Sequence, residues 1–375
     1  MKKPITIAII AARFPPHGEI GGIEIATQHI VTGLARRGNR VFVVASGPEK
    51  SLETLHSGAT IYRLPIRKIK WLGGLIFWLD IFWTLGKIKP DIVHVQTIQM
   101  ALPAFFYKKI CHRPYVVWCH GFDVYFPWKG KAIIAPVTLT ASGAVVVLTN
   151  HMAEAVKAYY LKKSIVLPNG IDTNTFKGFS KQAIRDTLNV PVGGKIVIFT
   201  GRFYPVKGLG YLVEAFRTVS QKIPEAELWL VGNGADRESL TQAVAKNGLT
   251  GRVRFTGEVL HQKIPEYLAM ADVFALPSLS EGFPLVILEA MALGLPIVAS
   301  RVRGLPEIIT DGENGFLVEP KNSAQLAQKI IQLLENPALR QNISDANKKK
   351  SQQYDWERVI DAMETIYSQV LTAVT

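Results

Sequence analysis

Short apolar segments rich in β-branched residues alternate with helix-forming stretches along the whole of this 375-residue chain. The segments predicted to form strands are residues 5–10, 41–45, 92–95, 115–118 and 144–148 in the first half, and 196–200, 228–231, 253–256, 273–276 and 297–299 in the second. Strands that are apolar throughout and separated by helices are typical of parallel sheets covered on both faces. The alternation predicts an α/β fold with two doubly wound, Rossmann-like sheets.

The chain is longer than a single hydrophobic core usually supports, so we expect two domains. Turn-forming residues interrupt the alternating pattern at residues 168–176, which marks the boundary between them. We therefore assign residues 1–176 to the first domain and residues 177–353 to the second. The last segment, residues 354–375, has the pattern of a helix.

A loop and helix near residue 281 carry two carboxylates eight positions apart, Glu281 and Glu289. Proline suits the first turn of a helix, so we expect the helix to begin near Pro284. The free backbone N–H groups within residues 282–285, where only Pro284 has none, and the helix dipole then form a seat for a phosphate. Glu281 is free to accept bonds from hydroxyls, and Glu289 from a ribose. The pattern predicts a site for a nucleoside diphosphate sugar.

The segment 280–289 resembles the E-x7-E motif of retaining glycosyltransferases of the GT-B fold, family 4 (glycosyl transferases group 1). Residues 275–278 and 290–300 are also similar to that family, and the resemblance covers nearly the whole chain. It implies two Rossmann-like domains facing across a cleft, with the C-terminal helix crossing back to the first domain. It also implies donor contacts from Glu281, Gly282, Phe283, Pro284, Leu285 and Glu289.

The segment 201–209 follows a predicted strand and resembles the family's G-R-x-x-x-x-K-G motif. Arg202 offers a planar fork, and Lys207 a point charge, to the donor's diphosphate. Negative charge grows on that diphosphate as the sugar departs, so both cations would stabilise the transition state. The chain has no Asp-x-Asp motif suited to holding Mg²⁺ at a nucleotide. We therefore expect a metal-independent enzyme with no cofactor besides its donor.

Two loops of the first domain match family positions. Gly21 and Gly22 resemble the G-G-x-E loop, which implies that a helix N-terminus meets the donor phosphate, and His17 precedes them on the acceptor side. His120 matches a catalytic histidine that binds a hydroxyl of the transferred sugar and shields positive charge at the anomeric carbon. Asp123 matches an acidic position on the acceptor side. Asp123 either takes a direct part in catalysis or orients His120 or the acceptor.

Two loops of the second domain border the nucleoside in similar enzymes. Gly232 lies in the first, and the backbone near Val259 in the second would read the base. These contacts leave UDP-linked and GDP-linked sugars as alternatives.

The net charge of +13 is concentrated in the first half, where residues 1–176 carry 21 Lys and Arg against 9 Asp and Glu. Such an excess favours an anionic partner. Residues 67–89 contain three tryptophans and flanking cations, but their apolar core is too short for a comfortable membrane span and includes Asp80. This segment is either an interfacial helix or a buried one. Together these features favour an anionic membrane surface and a lipid-linked or glycan acceptor over nucleic acid.

Cys111 and Cys119 are the only cysteines, too few for a disulfide framework, so a reducing cytosol fits best. We expect a cytoplasmic enzyme, either free or peripheral on the cytoplasmic face of the cell membrane. Its predicted reaction moves a hexosyl unit from a nucleoside diphosphate sugar to a hydroxyl acceptor, a lipid-linked or cell-surface glycan precursor. The alternatives are a non-catalytic sugar-nucleotide or nucleic-acid binding protein on the same scaffold, and phosphorolysis or epimerisation on this fold.

Overall fold

The computed structural model describes residues 4–16, 21–67, 72–128 and 130–373. The chain folds into two compact units, the first made of Met1–Gly170 with Trp356–Thr375 and the second of Ile171–Asp355. Each unit is built around its own sheet, with strands and helices alternating along the chain. The prediction of two doubly wound, Rossmann-like sheets is confirmed.

The first boundary lies between Gly170 and Ile171. The sequence placed it six residues later, between residues 176 and 177. Ile171 belongs to the second unit because its N–H donates to the carbonyl of Tyr354 at 2.6 Å. Gly170 packs against the Trp356 ring so closely that a Cβ on Gly170 would lie 2.6 Å from it. The second boundary therefore falls between Asp355 and Trp356, after the predicted residue 353.

The first unit contains an eight-stranded sheet within its described residues, in the order β3-β4-β2-β1-β5-β6-β7-β8. Its strands are β1 (Thr6–Ile10), β2 (Arg40–Gly47), β3 (Ser51–Thr54), β4 (Thr60–Pro65), β5 (Ile92–Val95), β6 (Tyr115–Cys119), β7 (Ala144–Val147) and β8 (Ile165–Val166). Every pair is parallel except β3 with β4. The order reverses direction between β1 and β5, so the loops after these strands border a switch point.

Three strands of the first sheet were not predicted: β3, β4 and β8. β3 lies at the sheet edge and alternates between half-buried and exposed residues, so it lacks the apolar run used to find strands. β4 carries Arg63, which is fully buried and donates to the carbonyls of Phe14 and Pro15 and to Glu53. These bonds compensate the burial of a charge inside a strand.

The helices of the first half are α1 (Gly22–Arg36), α2 (Gly73–Ile88), α3 (Ala101–Cys111), α4 (Phe122–Tyr125), α5 (Lys131–Ala141) and α6 (Asn150–Val156). A short 3-10 turn, Ile98–Met100, precedes α3. Parallel strands are joined by right-handed crossovers, so α2, α3 and α5, which all connect in one direction along the sheet, lie on one face and α1 on the other. None of the described helices has the length and apolar composition needed to cross a bilayer.

The second unit has a six-stranded parallel sheet in the order β11-β10-β9-β12-β13-β14. The strands are β9 (Lys195–Thr200), β10 (Ala226–Val231), β11 (Val253–Gly257), β12 (Val273–Leu276), β13 (Ile297–Ser300) and β14 (Phe316–Val318). The helices are α7 (Lys181–Thr187), α8 (Leu209–Lys222), α9 (Arg237–Lys246), α10 (Ile264–Ala269), α11 (Leu285–Ala292), α12 (Leu305–Ile308), α13 (Ser323–Glu335) and α14 (Pro337–Ser351). Further 3-10 turns occur at Thr173–Phe176, Pro205–Lys207, His261–Lys263 and Gln352–Tyr354.

The last helix, α15 (Trp356–Thr372), packs within the first unit. Trp356 stacks on His29 of α1 at a centroid distance of 4.9 Å. A Cβ on Gly33 would lie 2.0 Å from Ile360, so this glycine lets α1 and α15 approach closely. The Tyr367 hydroxyl lies 2.5 Å from Nδ1 of His94 on β5.

Candidate active site

The second sheet reverses direction between β9 and β12, and the loops that follow these strands open at the same edge. In open parallel sheets, ligands bind at such a switch point, beyond the carboxyl ends of the strands. Arg202 and Lys207 lie in the loop after β9, and Glu281 lies in the loop after β12. The predicted diphosphate-binding and sugar-binding residues of this unit therefore meet at one switch point.

Lys207 and Glu281 form an ion pair, with Nζ 2.7 Å from Oε1. The same Oε1 accepts a bond from the Ser278 hydroxyl at 2.5 Å, and Glu281 is only 8% exposed. The backbone N–H of Leu279 donates to the carbonyl of Val206 at 2.7 Å, so the two loops are also joined through their backbones. The sequence predicted both charged residues as donor ligands, but it did not predict that they bind each other.

Gly208 allows this close approach. Its φ is +64°, in the left-handed region, and a Cβ at this position would lie 2.3 Å from the carbonyl oxygen of Pro277. A side chain there would separate the loop after β9 from the loop after β12. The glycine after Lys207 is therefore required by the backbone as well as matching a motif.

The loops after β9 and β10 pack as closely as the loops after β9 and β12. A Cβ on Gly232 would lie 2.0 Å from the carbonyl oxygen of Gly201, and Phe203 N–H donates to the carbonyl of Asn233 at 2.8 Å. Gly232 N–H donates in turn to the carbonyl of Gly257 at 3.0 Å. These contacts fix the backbone on either side of Arg202. They also tie the loop of half-buried Val259 to the same edge.

Helix α11 begins at Leu285, and Pro284 is its N-cap rather than its first helical residue. Phe283 is 7% exposed, and its ring lies 5.8 Å from that of Tyr354. Leu285 is 8% exposed. The side chains of Phe283 and Leu285 therefore pack in the interior, which leaves their backbone amides, with that of half-buried Gly282, as the groups able to meet a phosphate.

Glu289, on the second turn of α11, is 5% exposed, and burial raises its pKa to about 7. Nε2 of His261 lies 3.8 Å from its Oε1. Burial also lowers the pKa of His261, so burial favours the neutral form of both side chains. A hydroxyl donor such as a ribose would favour the ionised form of Glu289.

His120 follows β6 in the first unit and is 7% exposed. Its Nε2 lies 2.5 Å from Oε1 of Gln96, which follows the neighbouring strand β5. Burial lowers the pKa of His120 to about 3, so the imidazole is neutral. With Gln96 Oε1 as the acceptor, Nε2 carries the proton and Nδ1 is left as an acceptor.

Asp123 lies inside the loop of His120 and is fully buried. Its Oδ1 accepts from the backbone N–H groups of His120 at 3.1 Å and Gly121 at 3.0 Å, and its Oδ2 accepts from that of Ile98 at 3.1 Å. Burial raises its pKa although these bonds favour the carboxylate. Asp123 therefore joins the loops after β5 and β6 and holds the backbone of His120, which agrees with the alternative that it orients His120.

Gly21 is the N-cap of α1, and its N–H donates to Oε2 of Glu24 at 2.9 Å. The predicted phosphate-binding amide thus has a partner within its own helix. Gly22 is the first residue of α1. His17, which was also predicted in this loop, lies outside the described residues.

Sequence reasoning missed Ser278, Arg303 and Gln96. Ser278 is buried beside Glu281, and Nε of Arg303 donates to the Ser280 hydroxyl at 2.7 Å. Each missed residue is polar and follows a buried strand, which is a signal that could have identified it. Among the described residues, no group of three or more His, Cys, Asp or Glu side chains is arranged to hold a metal ion.

Two family models match the chain. The model described as Glycosyltransferase Family 4 matches residues 20–175, and the model described as Glycosyl transferases group 1 matches residues 180–350. The first match covers the first sheet except β1, and the second match covers the whole second sheet. They include the loops of His120, Arg202 and Glu281.

Similar proteins span nearly the whole chain. An uncharacterized glycosyltransferase of Methanocaldococcus jannaschii is 29% identical, over 96% of this chain and 97% of its own. The structure of sucrose-phosphate synthase from Thermosynechococcus elongatus has a TM-score of 0.88 and 23% identity, covering 98% of this chain and 99% of that one. Anabaena HepE in complex with UDP-glucose has a TM-score of 0.82 and 23% identity, covering 97% and 100%. These two structural likenesses show a shared fold.

Proposed function

Because the chain belongs to family 4 of the glycosyltransferases and has the GT-B fold, we propose that it transfers a hexosyl unit from a nucleoside diphosphate sugar to a hydroxyl acceptor. The anomeric configuration is retained. The donor is a UDP-linked or GDP-linked sugar, and the complex of HepE with UDP-glucose supports this class of donor.

The observation that carries this proposal is the pairing of Lys207 with Glu281 at a switch point. Without a donor, the two side chains neutralise each other. A diphosphate competes for Lys207 because it carries more negative charge than one carboxylate. Glu281 then accepts bonds from hydroxyls of the sugar, while Arg202 and the backbone N–H groups of Gly282, Phe283 and Leu285 also bind the donor. One site thus receives an anion and neutral hydroxyls together.

In the proposed reaction, the bond between the anomeric carbon and the β-phosphate oxygen breaks, and the acceptor oxygen bonds to that carbon on the same face. The proton of the acceptor hydroxyl passes to the departing phosphate oxygen, so the products are a glycoside and a nucleoside diphosphate. Lys207 and Arg202 stabilise the growing negative charge on the leaving group. They take the part that a metal ion plays in other transferases, so the proposed reaction is metal-independent.

In the proposed function, His120 binds a hydroxyl of the transferred sugar. A neutral imidazole with Nδ1 as an acceptor can bind a sugar hydroxyl, and its lone pair faces positive charge at the anomeric carbon more favourably than an imidazolium would. Gln96 fixes the ring through Nε2, and Asp123 fixes the backbone of the same loop. Glu289 is assigned to the ribose.

The proposed acceptor is a lipid-linked or cell-surface glycan precursor, met at the cytoplasmic face of the membrane. The cationic excess of residues 1–176 supports an anionic surface as the place of reaction. Both cysteines, exposed Cys111 and buried Cys119, are free thiols, which is compatible with a reducing compartment.

The anomeric configuration of the reaction product tests the proposed function. Purified protein is incubated with UDP-sugars and GDP-sugars and a lipid extract, with and without EDTA, and the anomeric configuration of the product is read by NMR. We expect an α-linked product from an α-linked donor at the same rate in EDTA. A product of inverted configuration, or turnover abolished by EDTA and restored by Mg²⁺, would contradict the proposed mechanism.

A further inference from the structure

Helices α2, α3 and α5 expose apolar side chains to solvent on the face turned away from the sheet. These side chains are between 44% and 74% exposed and recur every fourth residue, and they are Leu75, Leu79 and Trp83 of α2, Phe106 and Ile110 of α3, and Ile133 and Val137 of α5. Spacing of four places each set on one side of its helix. We call these seven residues the apolar helix layer.

The three helices are neighbours on one face of the first sheet. Phe82 of α2 meets Tyr107 of α3 at a ring centroid distance of 6.1 Å, and Lys108 of α3 donates to the carbonyl of Ala141 at the end of α5 at 2.7 Å. The opposite side of α2 is buried, with Phe77 and Ile81 facing the interior. The helices are therefore apolar on both sides, which a soluble surface does not require.

The second unit has no comparable surface. Among its described residues, the large apolar side chains that are exposed are Val192 and Leu260, which lie far apart in the sequence. Isolated exposed apolar residues of this kind are normal, whereas a set on three adjacent helices indicates a binding surface.

Cations border the apolar helix layer. The only carboxylate in α2, α3 and α5 is Asp80, whereas Lys87, Lys89 and Lys109 are exposed at the ends of α2 and α3. An apolar surface with lysines at its border is complementary to the interface of an anionic bilayer, where apolar groups enter the headgroup region and lysines meet phosphates.

A cavity of ≈ 320 Å³ opens on this side of the unit and is lined by Phe105, Lys108, Lys109, His112 and Ala141. The pKa of Lys108 is lowered by burial and then by repulsion from Lys162 and Lys109. An anion in the cavity would relieve this repulsion. Its volume and its cations suit a phosphate headgroup.

We propose that the apolar helix layer lies on the surface of an anionic phospholipid bilayer, with Trp83, Phe106 and Ile110 at the depth of the headgroups and a lipid phosphate in the cavity beside Lys109. Contact through this surface brings the enzyme to the proposed lipid-linked acceptor. This role of the surface rests on the proposed function. A second copy of the chain is a poorer occupant, because a symmetric contact would bring the bordering lysines of both copies together.

Flotation with vesicles tests the surface in the absence of any donor. The vesicles contain phosphatidylglycerol and phosphatidylcholine in equal parts, or phosphatidylcholine alone. We expect the wild type to float with the anionic vesicles only, and less so at high salt. Lys87→Glu with Lys109→Glu should lower the partition coefficient by about tenfold or more. Trp83→Ser with Ile110→Ser should lower it as well, because apolar contact is lost.

The matched controls lie in the second unit. Val192→Ser removes a fully exposed apolar side chain, and Lys246→Glu reverses an exposed cation on α9; both variants should float like the wild type. No binding to anionic vesicles at low salt, or binding unchanged in the α2 and α3 variants, would overturn the proposal. So would a dimer in sedimentation that Trp83→Ser converts to a monomer, since a second copy then covers the layer.

Nucleotide release is measured in parallel to separate the two proposals. A variant of the layer that no longer floats but still releases nucleotide with a detergent-dispersed acceptor supports the surface and leaves the active site intact. Conversely, a protein that floats but does not release nucleotide would contradict the proposed function and leave the proposed membrane surface standing.

Discussion

Lys207 Nζ lies 2.7 Å from Glu281 Oε1 and joins the two loops that border the switch point of the second sheet. Glu281 is almost fully buried and also accepts the Ser278 hydroxyl, so the pair has a fixed geometry in the free protein. In the proposed function, Lys207 meets the diphosphate and Glu281 the sugar of the donor. The pair therefore holds the two loops in position before a donor arrives.

Replacement of Lys207 by alanine removes both the partner of Glu281 and a cation for the leaving diphosphate. We expect kcat to fall by about 100-fold or more, because a fixed group that meets developing charge acts mainly in the transition state. The measurement is nucleotide release under saturating donor. Lys222→Ala, which removes a side chain that is 62% exposed at the end of α8, is the control and should retain normal turnover.

Gly208→Ala should disturb the active site through the backbone. The new Cβ would meet the Pro277 carbonyl at 2.3 Å in a residue with φ of +64°, so we expect a loss of about 1–3 kcal/mol in the free energy of unfolding, and weaker donor binding. Gly210→Ala is the matched control, because a Cβ there has no neighbour within 4 Å and α8 continues through it. The control should unfold at an equal or higher urea concentration. Equal urea midpoints for both variants would contradict the close approach.

The pKa of Glu289 is raised to about 7, so the native state keeps a proton that the unfolded state releases near its ordinary value of 4.5. The contribution of this group to stability is then present at low pH and declines as pH rises between these values, by about 3 kcal/mol in total. Glu289→Gln should abolish that decline. Urea unfolding of both proteins at about pH 5 and about pH 8 measures it. An identical pH dependence in the two proteins would mean that Glu289 is ionised throughout.

Asp123→Asn should lower kcat without weakening the binding of the donor. An amide replaces one of the two acceptor oxygens with a donor, so at least one of the N–H groups of His120, Gly121 and Ile98 loses its partner, at a cost of about 1–3 kcal/mol. His120 then loses its fixed position. The dissociation constant of the donor, measured by calorimetry, should stay unchanged because the proposed donor contacts lie mainly in the second unit. Asp80→Asn on α2 is the control and should leave both quantities unchanged.

The sequence predicted both sheets because their central strands are continuously apolar, as in β1 and β9. It did not predict β4, because the buried Arg63 depends on the Phe14 and Pro15 carbonyls, which are distant along the chain. The domain boundary also differs, since Ile171 pairs with a residue near the far end of the second unit. Local patterns predict strands well, whereas long-range pairing determines where a unit ends.

The same distinction applies to the active site. Glu281, Lys207 and Arg202 were predicted because they occupy motif positions next to glycine, and the fold places all three in loops at one switch point. The sequence left several roles open for Asp123, because its three backbone partners lie in two loops that only the fold brings together. Gln96 was missed because its relation to His120 exists only where β5 and β6 lie side by side.

Nucleotide release from UDP-, GDP- and ADP-sugars, compared between the wild type and Glu281→Ala in the presence of lipid extract, tests the central claim most directly. Circular dichroism confirms that the variant is folded, and Glu238→Ala on the exposed side of α9 serves as the control. We expect the wild type and the control to release nucleotide from one donor, and Glu281→Ala to be slower by orders of magnitude. Equal release by the folded Glu281→Ala variant, or tight nucleotide binding by the wild type without release from any donor, would contradict the proposed transferase mechanism.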